Sequence, residues 1–153
     1  MSRRPIEGLD PATKYHVSHK PISSLKRSSQ RPMDIKPDGI WYALGGDWSD
    51  FAELIGLTGT GTQYVYEIEV DYSKVLKLDS VQKVIDFSEK YSAAMHGLPL
   101  INWQAVAEDW SGVEFSPYFR QIRMKLMWYA SVDVPSGCVW EPSAVTKFDL
   151  ITS

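Results

Sequence analysis

The chain has 153 residues, 44% of them hydrophobic and 23% charged, with a net charge of −3, enough apolar material for one buried core without disulfides or a structural metal. Its single cysteine, Cys138, excludes an internal disulfide and a cysteine-based zinc site, and points to a reducing, cytoplasmic setting. No apolar run approaches the ~20 residues of a membrane span, and the opening Met-Ser-Arg-Arg-Pro lacks the apolar stretch of a secretory signal, so no membrane partner is expected.

The charge is unevenly spread. Residues 1–36 carry eight Lys/Arg against three acidic residues, and residues 37–153 carry eight against sixteen. The basic segment suits phosphate groups and keeps nucleic acid open as a target, whereas the acidic body repels it. Residues 1–13, rich in Pro, Gly and charge, read as an arm leading into a single domain over 14–153.

Lys14–Ser18 is a short β-favouring run and the first expected strand. Residues 19–38 hold three prolines and four serines with little periodicity, which predicts a long loop of the kind that is usually functional in a small domain. A second strand is expected over Gly39–Ala43 and a short helix over Trp48–Ile55, capped by Asp47 or Ser49 and stopped at Gly56. Thr58–Thr62, Thr-Gly-Thr-Gly-Thr, has the look of a phosphate loop, but it follows a helix and opens a strand, the reverse of a dinucleotide fingerprint, and reads as a turn.

The strand Gln63–Asp71 alternates Tyr64, Tyr66, Ile68 and Val70 with Val65, Glu67 and Glu69, the period of a half-buried strand. After a short strand Val75–Leu78, Asp79 and Gln82 stand at capping-box spacing ahead of Val81, Val84, Ile85, Ser88 and Tyr91, which predicts a helix. Asn102 caps a second helix with Trp103, Val106, Ala107 and Trp110 on one face and Gly112 at its end. Val113–Ser116 reads as a strand, Pro117–Val132 as a long aromatic and basic connection, and Gly137–Glu141 and Lys147–Ile151 as the last strands. The fold class is α+β, with strands too irregularly spaced for a βαβ array.

Three distant segments carry the chemistry: Tyr15-His16-Val17-Ser18, Gly39-Ile40-Trp41-Tyr42-Ala43, and Ser136-Gly137-Cys138-Val139-Trp140-Glu141. In this order the chain resembles the ADP-ribosyltransferases of the diphtheria-toxin and poly(ADP-ribose)-polymerase type. In that family a first-strand His followed by a hydroxyl residue holds the NAD ribose and nicotinamide, a Gly-Ile-Tyr-Phe-Ala-like strand presents an aromatic ring, and a helix follows. The resemblance implies a split antiparallel β-sheet core with short helices and NAD as substrate. It carries His16 and Ser18 onto the first motif, Trp41 and Tyr42 onto the second, and Asp47–Ile55 onto the helix. The family's Asn-Glu-Tyr-Ile-Val-Tyr-Asp strand falls on Cys138–Glu141, which leaves Ser136 where the catalytic glutamate would stand.

Breaking the nicotinamide–ribose bond builds positive charge on the sugar, which a carboxylate opposes and a serine does not. Asp133 is the first substitute carboxylate and Glu114 the second. Trp41 and Tyr42 project from opposite faces of their strand, so one of them is core, and Tyr42, with its polar tip, is the one expected at the ligand. Arg27 or Arg31 is expected to meet the pyrophosphate. Trp103, Trp110 and Trp140 are expected in the core and Cys138 inert within its strand. His16, His19 and His96 do not make a zinc site, because the first two fall on opposite strand faces and the third precedes Gly97 in a loop, so no metal is expected. No nucleophile-elbow pattern supports a hydrolase.

The implied activity is a small mono-ADP-ribosyltransferase acting on an intracellular macromolecule, most simply a protein chosen by the loop Pro117–Pro135, in the manner of a phage or toxin-type effector. The alternatives are a protein-binding module without catalysis on the same fold, and a variant that hydrolyses NAD or modifies nucleic acid.

Overall fold

The computed structural model describes residues 14–18, 20–44, 64–95, 98–132 and 135–152. Its strands are β1 (Lys14–Ser18), β2 (Ile40–Leu44), β3 (Tyr64–Val70), β4 (Val75–Lys77), β5 (Ser92–Met95), β6 (Leu98–Ile101), β7 (Gly112–Phe115), β8 (Ser136–Val139) and β9 (Val145–Thr152). Seven of them form one sheet in the order β4-β7-β8-β2-β1-β3-β9, and β5 and β6 pair separately. The α+β expectation holds. The split sheet does not, because hydrogen bonding runs unbroken through all seven strands.

The connectivity forces that sheet to curl. β3 and β4 lie five places apart in it, about 24 Å in a flat sheet at ~4.8 Å per strand. The five residue steps from Val70 to Val75 span at most ~18 Å, and they do not run straight. The Lys74 and Val75 amides both donate to the Asp71 carbonyl, at 2.9 and 3.1 Å, closing a tight turn. Rolling the sheet brings Ile68 of β3 and Val75 of β4 into one inner cluster with Tyr42, Val139 and Ala144.

The outer face carries the larger core. β4 and β7 are parallel neighbours, and parallel strands need a long crossover. Here it contains α1 (Val81–Lys90), the β5–β6 pair and α2 (Trp103–Asp109), which lay Val84, Phe87, Trp103 and Val106 over Val113, Phe115 and Cys138. α3 (Met127–Ala130) adds Trp128 and Tyr129 to the same cluster. Trp103, Trp128 and Trp140 are essentially inaccessible, as their size and apolar surface require. Trp110 is only partly buried, packed at the edge of the cluster, where its carbonyl accepts from the Trp140 indole at 3.0 Å.

Local chemistry sets the helix ends. Asn102 caps α2, its side chain accepting from the Ala105 amide at 3.0 Å. At α1 the cap is Ser80, which accepts from the Lys83 amide. The expected capping box does not form, because Asp79 pairs instead with the Lys83 ammonium at 2.7 Å and Gln82 with Asp86 at 2.8 Å. Gly112 does not end α2, which closes at Trp110. It opens β7, where a Cβ would lie 2.8 Å from the Cys138 carbonyl oxygen. β5, β6 and α3 were not expected from the sequence. The expected helix Trp48–Ile55 and turn Thr58–Thr62 lie outside the described residues.

The serine- and proline-rich segment is an ordered strap. Gln30 is buried at its centre, bonded through its amide to both the carbonyl and the N–H of Asp38 at 2.6 and 3.0 Å. The Ser28 amide donates to the Trp140 carbonyl at 2.9 Å, and Asp34 bridges to Ile101.

The indole of Trp128 meets Phe87, Trp103 and Phe115 at ring distances of 5.5, 6.0 and 6.1 Å and donates to Ser88. Trp128→Ala is therefore expected to destabilise the fold by about 3–5 kcal/mol, against ~1 kcal/mol for loss of the Asn102 cap, both read from urea unfolding midpoints at constant m.

Candidate functional site

The inner face of the curl collects side chains from five strands into one transverse row. His16 of β1 pairs with Tyr66 of β3, and the Tyr15–Ala43 pairing puts Tyr42 of β2 next in line on its other side. Tyr42 pairs with Gly137 of β8, Gly137 with Glu114 of β7, and Glu114 with Lys77 of β4. Directly paired residues share a face, so His16, Tyr42 and Glu114 share the concave side.

Gly137 makes the row possible. The Tyr42 ring lies across it, and a Cβ there would sit 2.2 Å from the ring's Cζ. The phenol crosses β8 over that gap and donates to Glu114 Oε1 at 2.9 Å. Tyr72, from the β3–β4 turn, donates to the same oxygen at 2.8 Å. Glu114 is 4% exposed, and a carboxyl group that deep in the fold requires such donors. Burial, followed by the Glu114 carboxylate, raises the Tyr42 phenol well above its ordinary range, and the same two causes in the same order raise Tyr72. Both phenols therefore stay protonated donors at neutral pH.

At the other end of the row His16 Nδ1 bonds the Trp41 carbonyl. A carbonyl only accepts, so Nδ1 carries the hydrogen and Nε2 is left as the acceptor of the neutral ring. Burial lowers the His16 pKa, with the Trp41 bond opposing it. Tyr66 and Phe148 stack at 4.5 Å beside the imidazole, which lies 6.4 and 6.1 Å from them. Around the exposed Tyr72 ring stand two cations, Lys14 Nζ at 5.2 Å and Lys77 Nζ at 4.6 Å from its centroid. The row thus offers a fixed acceptor in Glu114, a neutral imidazole and positive charge at the rim.

The sequence-derived residues divide accordingly. His16, Tyr42 and Glu114 come together. Ser18 shares the face of His16 at the end of β1, but its hydroxyl is used locally, donating to the Lys20 carbonyl at 2.7 Å. Trp41 is on the opposite face, stacked on Phe115 at 6.3 Å beneath the Lys36 ammonium. Tyr42 is 0% exposed, so its ring is sealed within the inner cluster instead of being presented to a ligand. Arg27 pairs with Glu141 at 2.6 Å, and Arg31 with Asp34 at 3.3 Å and Asp38 at 3.9 Å. Arg27 lines a groove of about 370 Å³ with Trp140 and with Gln104 and Glu108 of α2, the helix that covers the outer face. Asp133, His19 and His96 lie outside the described residues.

Cys138 is fully buried with its thiol pushed far up by that burial, consistent with an inert core position. Ser136 is buried and pairs with Ala43 and Phe115, on the outer face with the helix-side core. No cluster of potential metal ligands occurs among the described residues. Tyr72, Gly137, Lys14 and Lys77 went unsingled in the sequence. Only Gly137 left a signal, a glycine inside a strand pattern that marks close approach by another group.

Gly137→Ala is expected to cost at least the ~1–3 kcal/mol of an overpacked core, and Tyr42→Phe the ~1.5–3 kcal/mol of a hydrogen bond to a charged group. Because the alanine already displaces the ring, the double variant should cost less than the sum of the two, measured by denaturant unfolding. The pH dependence has a definite sign. A histidine whose folded pKa lies below the unfolded value of about 6.5 contributes stability that is present above that value and is lost as pH falls through the folded pKa. His16→Gln should flatten this slope on the acid side of neutrality, and NMR titration of the His16 ring should give the lowered midpoint directly. No family model, curated protein or solved structure matches this chain, so the chemistry of the row rests on its own residues.

Proposed function

We propose that the chain is an NAD-dependent ADP-ribosyltransferase in which Glu114 supplies the carboxylate. The observation that carries this reading is the Tyr42–Glu114 hydrogen bond at 2.9 Å, formed between strands of the same inner row that holds His16. Histidine, tyrosine and an acid from three strands of one sheet face make up the constellation that the resemblance calls for, with the acid on β7 in place of the position held by Ser136.

In this reading His16 Nε2 accepts a hydrogen bond from the ribose or nicotinamide, its tautomer held by the Trp41 carbonyl. Glu114 accepts from a ribose hydroxyl and opposes the positive charge that develops as the nicotinamide leaves with the bonding electron pair. Tyr42 holds the carboxylate in place and does not touch the substrate. Tyr72, 39% exposed on its turn, has to swing off Glu114 to admit the sugar. Arg27 and Arg31 are tied to acidic partners, so the diphosphate charge falls to Lys14 and Lys77. The loop that follows β7, with Arg120, Lys125 and the exposed Met124 and Met127, would meet the acceptor.

The closed state of the row favours a second reading. With Tyr42 and Glu114 both covered, the polar row can equally be a structural core and the protein a binding module that works through its exposed loop. Calorimetric titration with NAD separates the two. The transferase reading expects saturable binding to the wild type, its loss in His16→Ala, and, in Glu114→Gln, retained binding with nicotinamide release slowed about 100-fold or more. Asp133→Asn should then leave release unchanged. A folded wild-type protein that does not bind NAD supports the binding module.

A further inference from the structure

β9 is an eight-residue strand at one end of the seven-stranded sheet, paired on one side with β3 and on the other side with no strand among the described residues. A long edge of this kind presents a row of unpaired backbone groups to another strand. Its two ends differ. Near Val145 it is tied to the β3–β4 turn, where the Asp71 amide donates to the Ala144 carbonyl and Lys74 to the Ser143 carbonyl. From Phe148 onward no described strand covers its outer edge, and Leu150 and Ile151 are 52% and 41% exposed.

The strand's sequence is complementary to itself. In an antiparallel pairing of two copies centred on Phe148, Phe148 meets its counterpart, Lys147 stands opposite the second copy's Asp149, and Asp149 opposite its Lys147. The register of β9 on β3 shifts between Lys147 and Val145 and again between Leu150 and Thr152, so the regularly alternating part of this pairing is Lys147 to Asp149, with Thr146 and Leu150 opposite each other at its margins. Every cross-strand pair is apolar, mixed small–apolar or oppositely charged, and no like charges meet. A shift of the centre by one residue, to Asp149, sets aspartate against aspartate and Lys147 against Ile151.

The charges within one copy leave room for that contact. Lys147 lies 2.9 Å from Glu67 and 4.0 Å from Asp149, and Glu67, Glu69 and Asp149 together raise its pKa. Three carboxylates surround one ammonium, and Asp149, 63% exposed, is the more loosely held of its two ion-pair partners. A second copy brings the missing cation to it.

We infer that β9 is a self-association edge, through which two copies of this chain pair antiparallel about Phe148 to form a two-fold symmetric dimer with a sheet continuous across both. Such an isologous contact follows from a self-complementary patch, and backbone pairing along an exposed edge is a general mode of strand addition. The interface is one strand wide, so association is expected at concentrations of order ~10 µM rather than in the nanomolar range.

Sedimentation equilibrium over a concentration series tests it. The wild-type mass should rise from that of one chain to that of two. Asp149→Lys sets lysine against lysine across the two-fold axis and should keep the protein monomeric at every concentration. That change also replaces the acid paired with Glu67, so the monomer should be no less stable in urea unfolding, which separates lost pairing from lost folding. The double variant Lys147→Asp with Asp149→Lys restores opposite charges and should restore the dimer. A wild type that stays monomeric throughout, or an Asp149→Lys variant that dimerises as the wild type does, would overturn the proposal.

Discussion

The Tyr42 phenol reaching across Gly137 to Glu114 is the contact on which the inner face depends. It joins β2 to β7 over the intervening β8, and it works only because β8 carries no side chain at the crossing point. A buried carboxyl group lacking donors would cost several kcal/mol. With phenols from Tyr42 and Tyr72 on one oxygen, the acid instead becomes a tie between the middle of the sheet and its β4 end. That tie acts in the direction in which the sheet has to bend, since Tyr72 rides on the short turn that brings β3 round to β4.

The curl assigns different work to the two faces. The outer face has the helices of the crossover and most of the large aromatic residues described, and its packing is of the dense, apolar kind that fixes a sheet in place. The inner face has a smaller apolar cluster around Ile68, Val75, Val139 and Ala144, and its polar groups are placed by the backbone and by one another. Trp41 links the two. Its indole is held outside against Phe115, while its carbonyl fixes the His16 ring inside. The residue of the Trp41–Tyr42 pair expected to be core thus bears on the site through its backbone.

The strand pattern was legible wherever a half-buried period of two was strong. β1 falls on the residues expected of it, and β2, β3, β4, β7 and β8 lie within a residue or two at each end, because alternation in runs such as Tyr64–Val70 leaves little freedom of register. β5 and β6 were missed because Ser-Ala-Ala-Met and Leu-Pro-Leu-Ile show neither alternation nor β-branched enrichment. The cap of α1 was misplaced by one residue because Asp79 and Ser80 both suit the position, and the choice fell to Lys83, whose ammonium takes the aspartate while its amide takes the serine. Of the candidate site, His16 and Tyr42 were named from their motifs and Glu114 as the second substitute carboxylate, but that they share a row depends on register between strands 72 residues apart, which no local pattern encodes. Tyr72 was invisible for the same reason, as a turn residue whose partner lies on β7.

The contrast between the two acidic settings follows from solvent. Glu114 sits where water is excluded, so each donor to it is strong and the geometry is fixed by Tyr42, Tyr72 and the gap at Gly137. Glu67, Glu69 and Asp149 sit on the opposite face of the sheet, toward its open β9 end, where screening weakens each pair and a single Lys147 serves all three. A group in the first setting can hold a defined orientation toward a small substrate. Groups in the second can exchange partners at little cost, which is what a reversible contact with another chain demands.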